Sequence, residues 1–149
     1  GGNIFGRTRD ATLISMGKSS LDAVAAEVAK SQGRSLKPDQ FPDRGYYYRS
    51  DQVSFAKIGV PALFFDSGTD FVGRPAGWGK RQIEEWELKQ YHQPSDRLDG
   101  TWKFEGMIED AKLEMLSAWL VAQADALPTW NPGDEFAAAR QRALAALAH

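Results

Sequence analysis

The sequence predicts an α/β fold in which helices pack on a small sheet. Two kinds of observation support this. Val60-Pro61-Ala62-Leu63-Phe64-Phe65 is apolar nearly throughout and Asp66-Ser67-Gly68 ends it, which suits a strand covered on both faces in an α/β layer. Two other segments carry apolar residues at helical spacing: Leu21, Val24, Ala25 and Val28 in one, Ile108, Ala111, Met115, Ala118 and Ala122 in the other.

Taken in order, Thr12 to Met16 is a short apolar run after the charged Arg7 to Asp10 and reads as a strand. Ser19 or Ser20 then caps a helix, Asp22 places early negative charge, and Gly33 is a natural stop. Leu36 to Asp43 holds two prolines, so it is extended or loop. Tyr46-Tyr47-Tyr48 is β-prone and leads into Ser50-Asp51, which caps a short helix through Lys57. Residues 66 to 91 form a long connection rich in glycine, tryptophan and charge, with a helix expected from Arg81 to Gln90. A connection of that length is usually a functional flap or an interaction surface. Glu105 to Leu127 is the strongest helix, with Leu113, Leu116 and Leu120 widening its stripe and Pro128 stopping it. Trp130-Asn131-Pro132-Gly133 is a turn, and an alanine-rich helix runs from Glu135 to Ala148.

Length and composition bound the possibilities. A chain of 149 residues suits one domain, here residues 1 to 149, with 42% hydrophobic and 26% charged residues. A net charge of −2 gives no electrostatic case for nucleic acid or an anionic membrane. No apolar run approaches the roughly 18 residues of a membrane span. The absence of cysteine excludes disulfides and thiolate metal sites and fits any compartment.

The segment Tyr91-His92-Gln93-Pro94-Ser95-Asp96 carries the chemistry. There are two histidines, and the other, His149, is the last residue. Imidazole chemistry within one chain therefore falls to His92. Pro94 disfavours helix at Gln93, and Asp96 can cap the next segment or hold the ring. A structural loop histidine is the plainer reading of the same residues.

Read in order, Tyr48-Arg49-Ser50-Asp51, the Gly59-Val60-Pro61-Ala62 run and Tyr91-His92-Gln93-Pro94-Ser95-Asp96 resemble the C-terminal part of a di-zinc aminopeptidase, over roughly residues 1 to 127. That superfamily includes bacterial leucyl aminopeptidases, glutamate carboxypeptidase II and the glutaminyl cyclases. The resemblance implies a small mixed sheet with packed helices, a hydrolase acting on peptide or amide bonds, a peptide or amide small-molecule substrate, zinc as cofactor and His92 as a metal ligand. It also implies that the chain begins after most of the family's ligands, since Gly1 to Arg7 resembles the residues just after the last aspartate ligand. Position 52 is Gln where the family usually has His. Glu84-Glu85 lies in the wrong chain order for the family's Glu-Glu pair and reads as a solvated face.

Within this frame the candidate catalytic residues are Tyr48, Ser50, Asp51 and His92. Tyr47 or Tyr48 could donate to developing negative charge, although three adjacent tyrosines also suit half-buried packing. Asp51 could orient a loop or a histidine, or cap a helix. Trp78 and Tyr91 are the candidate substrate-binding residues, with Trp86 offering further apolar surface; the tryptophans also suit the domain's own core. Two other functions use the same residues. One is a metal-independent hydrolase in which His92 activates Ser50, Ser67 or Ser95, with Asp51, Asp66 or Asp96 orienting it. The other is a non-catalytic binding or structural remnant of the fold. Finally, the resemblance implies an open sheet edge and an uncovered apolar face where the family's N-terminal half would supply strands and helices, which predicts a homo-oligomer, a dimer or higher, with the C-terminal helix able to exchange between copies.

Overall fold

The computed structural model describes residues 2–147; His149 and Ala148 fall outside them. Among the described residues, three strands, five α-helices and two 3-10 turns succeed one another in the order β1 (Asp10–Leu13), α1 (Leu21–Ser31), β2 (Ser35–Pro38), 3-10 turns at Pro42–Arg44 and Tyr46–Arg49, α2 (Gln52–Lys57), β3 (Phe65–Ser67), α3 (Trp78–Lys89), α4 (Phe104–Ala122) and α5 (Ala137–Leu147). The sheet order is β2-β1-β3. β1 runs parallel to β2, with Asp10 opposite Ser35 and Leu13 opposite Pro38. It runs antiparallel to β3, with Ala11 opposite Ser67 and Leu13 opposite Phe65. The expected α/β architecture with a small mixed sheet is therefore present. The parallel pair is joined through α1, as a parallel connection requires.

β1 starts and stops a few residues earlier than the expected Thr12 to Met16. A carboxylate can start a buried strand here because Asp10 Oδ1 accepts the Asp70 backbone N–H at 2.9 Å, which compensates its removal from water. Met16 instead belongs to a turn, its N–H donating to Leu13 O at 3.1 Å, and Gly17 comes next at φ 90°. The strand expected from Val60 to Phe65 is also displaced. Only Phe65–Ser67 pairs along the ladder, preceded by one bond from Ile14 N–H to Phe64 O of 2.8 Å. Pro61 has no N–H to donate, and Val60 donates back to Phe55 O at 3.0 Å. The run is not covered on both faces: Val60 is exposed and Pro61 to Phe65 are half-buried.

Tyr46–Arg49 is a 3-10 turn rather than a β-prone run. Gly45 adopts φ 61°, and the Tyr48 N–H donates to Gly45 O at 3.0 Å. α3 begins at Trp78, earlier than the glycines suggest. Gly79 sits inside the helix because it is pressed against Thr69 O and the Phe71 ring, where a Cβ has no room. α4 ends at Ala122, short of the expected Leu127.

Two buried clusters hold the layers together. Ala11, Val28, Ala29 and Leu113 join β1, α1 and α4. Ile14, Tyr47, Val53, Ala56, Trp130 and Phe136 join the end of β1 to α2 and the C-terminal segment. α4 meets the core through Gly106, Leu113 and Ser117. The expected stripe through Ile108, Ala111, Met115, Ala118 and Ala122 faces outward and is exposed. Among the described residues, no helix is long and apolar enough to cross a membrane.

Candidate active-site cleft

Four stretches of chain meet around a cleft of about 520 Å³, the N-terminal one contributing Gly2, Asn3 and Phe5. One wall is Tyr46, Arg49, Ser50 and Asp51. The floor is Phe64 to Ser67, at the start of β3. The opposite wall is Ile83, Trp86 and Glu87 of α3, with Tyr91 just beyond it. The 3-10 turn explains the first wall. Three residues per turn place Tyr46 and Arg49 on one face, whereas a strand would have paired Tyr46 with Tyr48.

α3 is fastened across the cleft by charge. The Arg44 guanidinium pairs with the Glu87 carboxylate, and the Tyr46 hydroxyl donates to Glu87 Oε1 at 2.5 Å. Arg44 also approaches Glu84 at 3.8 Å, while Glu85 pairs with Lys89 at 2.7 Å. The Glu84-Glu85 pair thus serves surface and wall contacts.

A side annex of about 50 Å³ opens off the floor, sharing Asn3, Phe65, Asp66 and Ser67 with the cleft and adding Asp110, Leu113 and Glu114. Burial raises the Asp66 carboxyl above its ordinary pKa, against a 2.7 Å bond accepted from its neighbour's N–H. Asp66 is open to solvent at the cleft surface yet flanked by protein walls. Burial likewise pushes Asp110 up to about 6, although Arg34 stands 2.6 Å away and opposes the shift. The second Asp110 oxygen is buried with no donor, which explains why desolvation outweighs the pair. Glu114 is raised by burial.

The structure brings some of the candidate residues together. Ser50, Asp51 and Tyr91 line the cleft. The Ser50 hydroxyl donates to Tyr46 O at 3.0 Å. Asp51 makes no capping bond with its side chain. Gln52 turns back to donate to Tyr47 O at 2.8 Å. His92 follows Tyr91 but does not line the cleft; it is exposed, at φ 60°, with its ring stacked 3.8 Å over that of Tyr91. Among the described residues, no hydrogen bond joins the His92 ring to Ser50, Ser67, Ser95, Asp51, Asp66 or Asp96.

Tyr48 and Trp78 lie elsewhere. The Tyr48 hydroxyl donates to Glu135 Oε1 at 2.6 Å, beside the Lys18 ammonium. Trp78 packs edge-on against Phe5 and Phe71, under the Arg74 guanidinium. It borders a second, more polar pocket behind α3, which Trp86 also lines. Sequence reasoning passed over Tyr46 and Glu87 as site residues. The signal for Tyr46 was Gly45, whose left-handed conformation starts the turn.

A catalytic zinc normally takes three protein ligands. Among the described residues, no three His, Asp or Glu side chains are grouped to hold a metal ion. The residues present therefore do not make up a zinc site around His92.

The model of peptidase family M28 matches residues 3–116. No curated protein and no solved structure matches the chain. The matched span holds the sheet, both cleft walls and the His92 loop, and it covers well over half of the sequence. The chain belongs to peptidase family M28.

Proposed function

We propose that this chain is a hydrolase acting on peptide or amide bonds, with this cleft as its substrate site. One observation carries the reading: segments 49–51 and 91, some forty residues apart in sequence, line one cleft within the family match. The cleft offers what an extended peptide needs: acids, a guanidinium and an aromatic wall from Trp86 and Tyr91. In this reading Ser50 and Asp51 orient the bound backbone, Tyr91 packs against a substrate side chain, and His92, beside Tyr91 though outside the cleft lining, acts on the scissile bond. Zinc is the cofactor that family members generally use; because His92 has no companion ligands among the described residues, no catalytic step is assigned to a metal here. The test is hydrolysis of an aminoacyl-arylamide by the purified chain, with and without zinc and chelator. The reading expects hydrolysis that His92→Ala abolishes. Hydrolysis unchanged in that variant removes His92 from the mechanism. Hydrolysis that survives chelation and still needs His92 favours the serine-based alternative.

The second reading is a peptide-binding module without catalysis. The observation favouring it is the lack of a metal-ligand group among the described residues. Peptide binding without hydrolysis at any zinc concentration would establish it. We further propose that the chain associates as a homo-oligomer, with a second copy covering the outward apolar stripe of α4.

A further inference from the structure

The cleft has an unusual charge inventory. Arg49 is the only cation among the described residues that line it. It forms no ion pair among the described residues. Its guanidinium makes one long bond, to Arg44 O at 3.4 Å. Three acids share the lining: Asp51, Asp66 and Glu87. Glu87 is already matched by Arg44 and the Tyr46 hydroxyl. Asp51 and Asp66 have no cationic side chain paired with them among the described residues. Among the described residues the cleft thus presents Arg49 as an unpaired cation and Asp51 as an unpaired anion, with an aromatic patch from Trp86 and Tyr91 along one side.

A ligand complementary to this set carries one carboxylate, one ammonium and an apolar side chain. We infer that the cleft selects short peptides with both termini free, the C-terminal carboxylate pairing with Arg49 and the α-ammonium with Asp51. The inference rests on the peptide-cleft reading above and narrows its substrate class. A guanidinium presents a planar fork that fits a carboxylate in a bidentate pair. A cleft of about 520 Å³ has room for a peptide of two or three residues.

Calorimetric titration of the full chain tests this with four ligands: Leu-Gly, Leu-Gly amide, N-acetyl-Leu-Gly and the α-amide of glutamate, whose carboxylate is on its side chain. Leu-Gly is expected to bind at least about tenfold more tightly than its amide or its acetylated form, the size of one lost charge-assisted hydrogen bond. Arg49→Gln is expected to bring Leu-Gly down to the level of the amide and leave the amide unchanged. Arg49→Lys, which keeps the charge but not the fork, is expected to recover part of the difference. Arg49 is exposed, and a thermal melt matching the parent chain confirms that the variants fold. Equal binding of Leu-Gly and its amide overturns the inference, as does an equal loss for both in Arg49→Gln, or no binding of any ligand. Binding of the glutamate α-amide as tight as that of Leu-Gly, and lost in Arg49→Gln, overturns the terminal assignment in favour of an acidic side chain. The arylamide assay uses a substrate without a carboxylate, so failure of hydrolysis and failure of carboxylate selection are read separately.

Discussion

Gly59 shows how much one residue can fix. It sits at φ +91°, and a Cβ there would collide with the backbone of Ala139 and Arg140 in α5. Its carbonyl accepts the Trp130 indole N–H at 3.0 Å. Gly59→Ala combines a left-handed backbone with a steric clash, so a loss of about 2–4 kcal/mol is expected. Thermal or urea unfolding measures it, and an unchanged midpoint would contradict the packing of α5 on its own chain. Asp110 gives a second test, with a definite sign. Its carboxyl is raised from 3.8 to about 6 in the folded chain by burial, so the folded state binds the proton more tightly than the unfolded state. Stability from this group is full below the unfolded value and is lost as pH rises through about 6. Carbon-detected titration of the Asp110 carboxyl is expected to give a midpoint near 6, and a midpoint at or below the ordinary value would contradict it. At this scale the sequence was partly readable. His92 stood out because it was the only internal histidine, whereas nothing local marked Arg34 as the buried partner of Asp110, 76 residues away.

The C-terminal segment shows the same dependence among elements. Trp130 and Phe136 belong to the cluster around Tyr47 and Val53. Lys18 sits over the rings of Tyr47 at 4.6 Å and Phe136 at 5.2 Å and pairs with Glu135 at 3.0 Å. These contacts hold the tyrosine turn whose other side forms the cleft wall. Burial of one large aromatic side chain is worth about 3–5 kcal/mol, and a domain has only about 5–15 kcal/mol in total. Ending the chain at Leu127 removes two such residues, so loss of a cooperative melt is expected by calorimetry or circular dichroism. A truncated chain that melts as the full chain does would show that the segment is dispensable. Helix positions were readable from periodicity, but the buried face of α4 was not. Its most apolar stripe is exposed, and its core face runs through Gly106, Asp110, Leu113 and Ser117, where small size and the Arg34 pair decide the packing. The tyrosine run misled for a related reason: side-chain type favoured a strand, and the glycine before it set a 3-10 turn.

For the whole molecule, the outward face of α4 leads to the assembly proposal. Met115 and Trp119 are each 61% exposed, beside a groove lined by Pro61 to Phe65 and Ala118. Exposed apolar patches on this scale mark interfaces. Light scattering is expected to give about twice the 16.5 kDa of one chain, and Trp119→Glu is expected to return it to a monomer. A monomer at all concentrations would contradict the proposal. α5 packs on its own chain at Gly59, so this association needs no exchanged helix. The peptide cleft itself is tested most directly by amide chemical-shift mapping of the labelled chain titrated with Leu-Gly. Shifts are expected to concentrate at residues 46–51, 65–67 and 83–91, the two walls and the floor. Shifts confined to the α4 groove, or none at saturating peptide, would contradict the assignment of this cleft as the substrate site.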